Sequence, residues 1–239
     1  MTAMRLQKYL STAGVCSRRQ GEKYMLEGRI RVNGKRVTEL GTRVDPKLDQ
    51  VEVDGKAVTL NQKPVYIALN KPKGYIASCK QQNDKTVLDL INIPQRVYPV
   101  GRLDKDSTGL LILTNDGRVH HRLLHPSFDH EKEYEVTVAQ AIANGALNKM
   151  ESGIILMGKK TRPATIKRIA ANRFRIILKE GKNRQIRRMV RKVGSTVVDL
   201  KRIRFSNITL SGINDGQWRF LTETEEKDIL QSLEPKTGE

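Results

Sequence analysis

The chain has 239 residues, with 44 Lys+Arg against 26 Asp+Glu and a formal net charge of +18. At roughly 150 residues per domain the length gives one or two domains, and a hydrophobic share of 38% is enough for a packed core. No apolar run approaches the roughly 18 residues of a membrane span, the first residues lack a secretory pattern, and Cys16 and Cys79 are too few for a disulfide framework or a zinc site. These facts point to a cytoplasmic basic protein, for which nucleic acid is the first partner to consider.

Residues 4–56 read as a small α+β module. Leu6, Leu10 and Ala13 lie on one helical face, and Gly14 can end that helix. Ser17 with Gln20 predicts a capped start for a second helix, with Tyr24, Met25 and Leu26 as its apolar positions and Gly28 as its stop. The stretch 30–37 alternates around Asn33-Gly34, a strong hairpin signal, and 51–58 alternates around Asp54-Gly55. Residues 58–63 are the expected linker.

Beyond it, strands and helices mix. The pattern predicts a strand over 65–69, a turn over 70–74, a short helix over 86–91 and a buried strand over 110–113. A turn at 115–117, a helix over 118–124, a strand over 134–138 and a helix over 141–150 follow. Strands at 164–169 and 173–179, an arginine-rich helix over 183–193, strands at 195–200 and 203–210, and a closing helix over 222–233 complete the reading. The expected class is α+β, with a mostly antiparallel sheet flanked by helices. The expected domains are 1–60, including the linker, and 61–239.

The charge is concentrated. Residues 158–204 hold 17 basic and 2 acidic side chains, whereas residues 205–239 hold 3 and 7. The basic segment also carries apolar spacing, so it should fold and present a surface suited to a phosphate backbone. A merely solubilising face is the plain alternative.

The sharpest stretch is Gly101-Arg102-Leu103-Asp104-Lys105-Asp106-Ser107-Thr108-Gly109-Leu110-Leu111. It reads as a polar loop leading into a buried strand, with two carboxylates set among cations. A carboxylate so placed stays ionised, which suits a nucleophile or a base. A surface loop with a local salt bridge would look the same.

This loop resembles the Gly-Arg-Leu-Asp signature of the RsuA/RluB/RluE/RluF family of RNA pseudouridine synthases. Three further segments agree in order: Asn70-Lys71-Pro72-Lys73-Gly74, Lys132-Glu133-Tyr134-Glu135-Val136, and Glu180-Gly181 followed by Gln185-Ile186-Arg187-Arg188-Met189. Residues 4–50 resemble the ribosomal-S-four-type (αL) RNA-binding domain, through the Ser17-Arg18-Arg19 helix start and the Val32-Asn33-Gly34-Lys35 hairpin.

The resemblance implies isomerisation of uridine in ribosomal RNA, presented as a stem-loop or pre-ribosomal particle, without cofactor or metal, by a monomer. It implies Asp104 as the catalytic aspartate, Tyr134 as the residue stacking on the uracil, and Arg187 as a bidentate partner of Asp104. Arg102 would help hold the target nucleotide out of the helix. Ile186 would pack on the uracil, and Arg184 and Arg188, with Arg191 and Lys192, would meet phosphates. In the first module Arg18, Arg19, Lys23, Arg31 and Lys35 would bind RNA. Residues 183–189 look like the large-subunit RluB/RluF branch; the RsuA type is expected to carry Lys at the Arg187 position. The chain closes on an acidic segment where some large-subunit members have a long basic tail. A small-subunit (16S) target, a non-catalytic assembly factor and a DNA binder are the other readings.

Other features are given structural roles. His121 and His125 stand at i, i+4, but the third ligand type of a metal site is not evident nearby. Asp106 and Asp116 read as turn or cap residues, and Trp218 as packing near the last strand.

Overall fold

The computed structural model describes residues 3–79, 84–124 and 128–231. It separates into two compact units: Met1–Val65 with Ile93–Val97 and Asn115–Gly117, and the remaining residues from Tyr66 onward.

In the first unit the elements are β1 (Met4–Arg5), α1 (Leu6–Thr12), α2 (Arg18–Leu26), β2 (Ile30–Val32), β3 (Lys35–Val37), β4 (Arg43–Val44), β5 (Val51–Val53) and β6 (Lys56–Val58). Four strands pair in the order β3-β2-β5-β6. Both hairpins turn on left-handed pairs, Asn33 (φ 51°) with Gly34 (φ 77°) and Asp54 (φ 51°) with Gly55 (φ 75°). Such turns match the twist of the flanking strands, so a short sequence signal sets the register. Leu6, Leu10, Met25, Ile30, Val44 and Val51 form the core. Ser17 caps α2 by accepting a hydrogen bond from the Gln20 amide at 3.2 Å. Leu26 departs from the expected helix face: it is exposed, and Gly21 with Met25 makes the buried side instead.

The second unit holds β7 (Tyr66–Lys71), a 3-10 turn (Val87–Leu90), β8 (Tyr98–Val100), β9 (Thr108–Thr114), α3 (Gly117–Leu124), β10 (Lys132–Val138), α4 (Asn144–Glu151), β11 (Ile155–Leu156), β12 (Lys159–Lys160), β13 (Thr165–Ala170), β14 (Arg173–Leu178), α5 (Gln185–Lys192), β15 (Val197–Phe205), β16 (Ile208–Thr209), β17 (Trp218–Phe220) and α6 (Glu223–Gln231). Among the described residues nine strands share one sheet. Its main path runs β13-β14-β10-β15-β9-β7-β17, with β16 on β15 and β8 on β9. Only β15 and β9 pair in parallel among these, at Lys201–Thr108 and Arg202–Gly109. The class is therefore the expected α+β with a mostly antiparallel sheet.

Several expectations change in detail. The turn expected over 70–74 is shorter, because β7 runs on through Asn70 and Lys71, paired with Leu110 and Gly109. The two strands expected at 195–200 and 203–210 are largely one, β15, because Leu200 and Lys201 stay in register with Val136 and Glu135. The helix expected from 141 starts at Asn144, where Ala143 is still extended (ψ 151°). Trp218 lies in a strand, β17, that alternation did not reveal.

Two apolar clusters hold this unit. One joins Val136, Val138, Phe174, Ile176 and Leu200 to Met150 of α4 and to Ile186, Met189 and Val190 of α5. The other joins Tyr66, Ala68, Leu110 and Ile112 to Val119 and Leu123 of α3 and Ile229 of α6. Every residue of β7 is buried, as expected of a strand with neighbours on both edges and covered faces.

Candidate active site

The loop between β8 and β9 is held from three sides. The Ser107 amide donates to the Asp104 carbonyl at 3.1 Å, which makes the loop a tight turn. The Gly74 amide donates to the Lys105 carbonyl at 2.8 Å, tying the apex to the segment after β7. The fully buried Lys71 donates from Nζ to the Ser107 carbonyl at 2.7 Å and to the Pro72 carbonyl at 3.0 Å. At the end of the loop the parallel pairing needs Gly109 (φ +100°), because a Cβ there would sit 2.2 Å from the Arg202 carbonyl oxygen.

Arg187 supplies the third constraint. Its Nη2 donates to the Asp106 carbonyl at 3.2 Å and to the Ser107 hydroxyl at 3.1 Å, and its Nη1 donates to the Val197 carbonyl at 3.4 Å. One guanidinium therefore joins the loop to the start of β15. Its side chain is 13% exposed.

The ion pairs differ from the expected pattern. Arg187 does not clasp Asp104 with two bonds. Its Nη2 lies 3.2 Å from Asp106 Oδ2, while its Nε lies 3.9 Å from Asp104 Oδ2. Arg184 is the nearer partner of Asp104, at 3.3 Å from Oδ2, and it also reaches Asp106 at 3.4 Å. Asp106 is thus more than a turn residue: both arginines reach it, and it is the carboxylate that Arg187 approaches more closely. The physical reason is reach. Arg187 spends its Nη groups on the loop backbone and Ser107, which leaves Nε alone turned toward Asp104.

Arg184 does not continue the helical spacing of α5. It is the residue before the helix, at φ 50° and ψ 37°. A left-handed conformation costs a non-glycine residue about 1–2 kcal/mol. Here it directs the guanidinium toward both carboxylates.

The electrostatics follow from these contacts. Burial pushes the Asp106 carboxyl up, but the hydrogen bond from Arg184 and the charges of Arg187 and Arg184 outweigh it, so the group sits below the usual carboxylate range. Burial lowers Lys71 to about 8, against the attraction of Asp106 and Asp104. Asp104 keeps 32% of its side chain exposed and Asp106 42%. A cavity of about 420 Å³ is lined by Arg184 and Arg187 together with Arg188, Arg191, Ser195, Thr196 and Val197.

Tyr134 reaches the same level of the sheet through register. It pairs with Arg202 on β15, and Arg202 pairs with Gly109 at the start of β9. Tyr134 is partly buried and packs on the apolar cluster with Val136, while Arg202 is buried and donates from Nε to the Leu110 carbonyl at 2.7 Å. Arg102 is exposed, two residues before Asp104. Ile186 departs from expectation: with 4% exposure it belongs to the core beneath α5 and offers little surface to a ligand. Arg188 donates to the Asn183 side-chain oxygen at 2.9 Å, on the outer face.

In the first unit Arg18, Arg19, Lys23, Arg31 and Lys35 are all exposed. Lys23 lies 3.6 Å from Glu27, one turn on. Arg29, in contrast, is held by Asp54 and lies over the Tyr24 ring at 3.9 Å.

Sequence reasoning missed three contributors: Lys71, Ser107 and the anchoring role of Asp106. Lys71 had a signal, because it ends an apolar strand and precedes Pro72. Of the histidines, His120 stands edge-on to Tyr98 at 5.4 Å and His130 stacks on Phe205 at 6.1 Å, while His125 lies outside the described residues. Among the described residues no three potential metal ligands come together, and no helix is long and apolar enough to cross a membrane.

Comparisons with known proteins agree with this geometry. Residues 65–192 match the RNA pseudouridylate synthase family model, and residues 4–49 match the S4 domain. The chain is 41% identical over 240 residues to the dual-specificity RNA pseudouridine synthase RluF of Escherichia coli K12, covering 100% of this chain and 82% of that protein. It is 42% identical over 233 residues to ribosomal large subunit pseudouridine synthase B of Bacillus subtilis, covering 94% and 95%. A crystal structure of a pseudouridylate synthase superposes with a TM-score of 0.70 at 27% identity, covering 95% of this chain and 99% of that one. A loop bearing two carboxylates, anchored by Lys71 and Arg187, is thus found in a chain with relatives of one activity along nearly its whole length, and the protein belongs to the RNA pseudouridylate synthase family of isomerases.

Proposed function

We propose that this enzyme isomerises a specific uridine of large-subunit (23S) ribosomal RNA, with Asp104 as the catalytic residue. The observation that carries this is the asymmetry of the two carboxylates. Arg187 holds the Asp106 carboxylate at 3.2 Å but stands 3.9 Å from that of Asp104, whose nearest cation is Arg184 at 3.3 Å, and both carboxylates keep part of their side chains exposed.

The reaction breaks the bond from uracil N1 to the sugar C1′, turns the ring and joins C5 to C1′. The proton on C5 is lost to water and N1 gains one, so no external redox partner is needed. An ionised carboxylate serves this chemistry as a nucleophile on the ring or sugar, or as a base at the sugar 2′ position. A primary isotope effect with deuterium at the 2′ carbon separates the two.

The uridine must leave its stack to reach Asp104, which costs a few kcal/mol. Arg102, exposed at the loop entrance, fills the vacated position. Tyr134 supplies an aromatic face for the extruded uracil. Arg184 and Arg188 meet the phosphates beside it, and Arg18, Arg19, Lys23, Arg31 and Lys35 hold the RNA through the first unit. The domain division 1–60 and 61–239 follows the same split between holding and chemistry. The protein works as a monomer in the cytoplasm.

The test is tritium release from uridine labelled at C5, with 23S and 16S ribosomal RNA separately. Release from 23S RNA that is lost in Asp104→Asn is the expected result. Release from 16S RNA alone would move the target to the small subunit. Tight binding without release from any ribosomal RNA would replace the reading with an assembly factor.

A further inference from the structure

A second cavity, of about 390 Å³, lies between α5 and the hairpin made by β11 and β12. Ile155, Leu156 and Met157 line one side, and Arg188, Arg191 and Lys192 the other. The hairpin is firmly built. The Ile154 amide donates to the Thr161 hydroxyl at 2.9 Å, the Thr161 amide donates to the Ile154 carbonyl at 2.9 Å, and Leu156 packs on the core. Its turn uses Met157 (φ 50°) and Gly158 (φ 76°), the left-handed pair that suits a two-residue hairpin. Yet Ile155 is 63% exposed and Met157 82% exposed. A rigid hairpin therefore presents two apolar side chains to solvent. The Arg188 guanidinium touches the Met157 sulfur and so joins the hairpin tip to the helix.

This cavity shares Arg188 and Arg191 with the one lined by Arg184 and Arg187, the two arginines that pair with Asp104. The two adjoin along α5, cationic at the Arg184 end and mixed apolar and cationic at the hairpin end. Among the described residues the lining of the hairpin cavity holds no carboxylate. An apolar protein segment would gain the Ile155 and Met157 surface but leave Arg188, Arg191 and Lys192 without counter-charge. A nucleic acid strand satisfies both halves, because it alternates phosphates with flat apolar base faces.

We infer that this groove receives the stretch of substrate RNA adjoining the target uridine, with one unpaired base on Met157 and Ile155 and the flanking phosphates on Arg188, Arg191 and Lys192. The inference rests on the proposed RNA substrate at Asp104 and names a contact for a neighbouring nucleotide. The hairpin then contributes to site selection, since an RNA whose neighbouring base is paired cannot seat it there.

The experiment uses the full chain, an Ile155→Ser/Met157→Ser variant, and a ribosomal RNA fragment from which the wild type releases C5 tritium. A set of fragments each lacks one base near the target uridine. Both replaced side chains are exposed, so an unchanged melting curve is the folding control. The variant is expected to raise KM about five- to tenfold with kcat unchanged. One abasic position should raise the wild-type KM similarly and leave the variant's KM unaltered, the non-additivity of two groups in contact. An unchanged KM, or abasic effects of equal size in both proteins, would overturn the groove as a base site. Failure of the wild type to release tritium from any ribosomal RNA would instead overturn the substrate reading beneath it.

Discussion

The helices α2 and α5 both begin with arginines, and the two beginnings are used differently. Cations at a helix N-terminus oppose the helix dipole, typically by 0.3–1 kcal/mol each when exposed. In α2, Arg18 and Arg19 stand exposed in the first turn, where the proposed RNA would supply the opposing charge. In α5, the same placement brings Arg184 and Arg187 to Asp104 and Asp106, so the opposing charges come from the protein itself. One basic helix start is exposed, as the proposed RNA contact requires, and the other is paired with carboxylates of the protein. Composition cannot separate these uses; the loop before β9 does.

The largest effects should come from the carboxylates. Asp104→Asn is expected to lower single-turnover isomerisation by at least about a thousandfold, the range seen when a group acting on the reacting atoms is lost. RNA affinity should stay within a few-fold, read by filter binding. Asp106→Asn should retain measurable activity, lowered about ten- to a hundredfold, because it loosens Arg184 and Arg187 without removing the reacting group. If the two variants exchange these phenotypes, Asp106 is the reacting carboxylate and the assignment reverses.

Arg187→Ala tests the inner helix start more directly. It removes the bonds to the Asp106 carbonyl, Ser107 and Val197 and leaves the Asp106 carboxylate to the more exposed Arg184. Loss of these charge-assisted hydrogen bonds costs about 1–3 kcal/mol, to be read in urea unfolding, and kcat should fall more than KM rises. Arg187→Lys keeps the charge but not the fork, and should recover stability before activity.

Much of this arrangement was legible in the residues, and the parts that were not share a cause. Alternation and Asn-Gly or Asp-Gly pairs placed both hairpins of the first unit, because those turns are local. The loop from Gly101 to Ser107 was visible as charges beside a buried strand. Which arginine meets which carboxylate was not visible, since it depends on the left-handed backbone of Arg184 and on Arg187 being occupied by carbonyls. Ile186 misled for a related reason: apolar and next to Arg187 in sequence, it turns into the core because a helix rotates neighbours apart. Tyr134 reaches the site level only through pairing across β15, a non-local fact. Lys71 read as part of a turn, because a charged residue at a strand end is usually exposed.

Lys71 gives the next effect in size and ties the loop to pH. Its charged form is disfavoured by burial, so its folded pKa, about 8, lies below the ordinary 10.5. Between these values the unfolded chain binds more protons than the folded one, and stability therefore rises with pH across that window. The rise attributable to Lys71 is at most about 3 kcal/mol, from about 1.4 kcal/mol per pH unit. Urea unfolding at pH 7.5 and 10 should show it in the wild type and not in Lys71→Met. Activity should move the other way, falling as Lys71 loses the charge that faces Asp104 and Asp106. A flat stability profile in the wild type would mean that the lysine charge is solvated through motion of the loop.

The smallest effects belong to the outer helix start. Arg18→Ala and Arg19→Ala should each weaken RNA binding about three- to tenfold, and each should reduce the slope of log affinity against log salt by about one, the signature of one lost phosphate contact. Because neither side chain has an acidic partner among the described residues, the melting temperature should stay constant or rise slightly as the dipole conflict is relieved. Activity at saturating RNA should be unchanged. That combination distinguishes the two helix starts in one experiment: at α5 a lost arginine costs stability and turnover together, whereas at α2 it costs affinity alone. A loss of turnover at saturating RNA in Arg18→Ala would show that the first unit also places the target uridine, and the division between holding and chemistry would give way to a shared task.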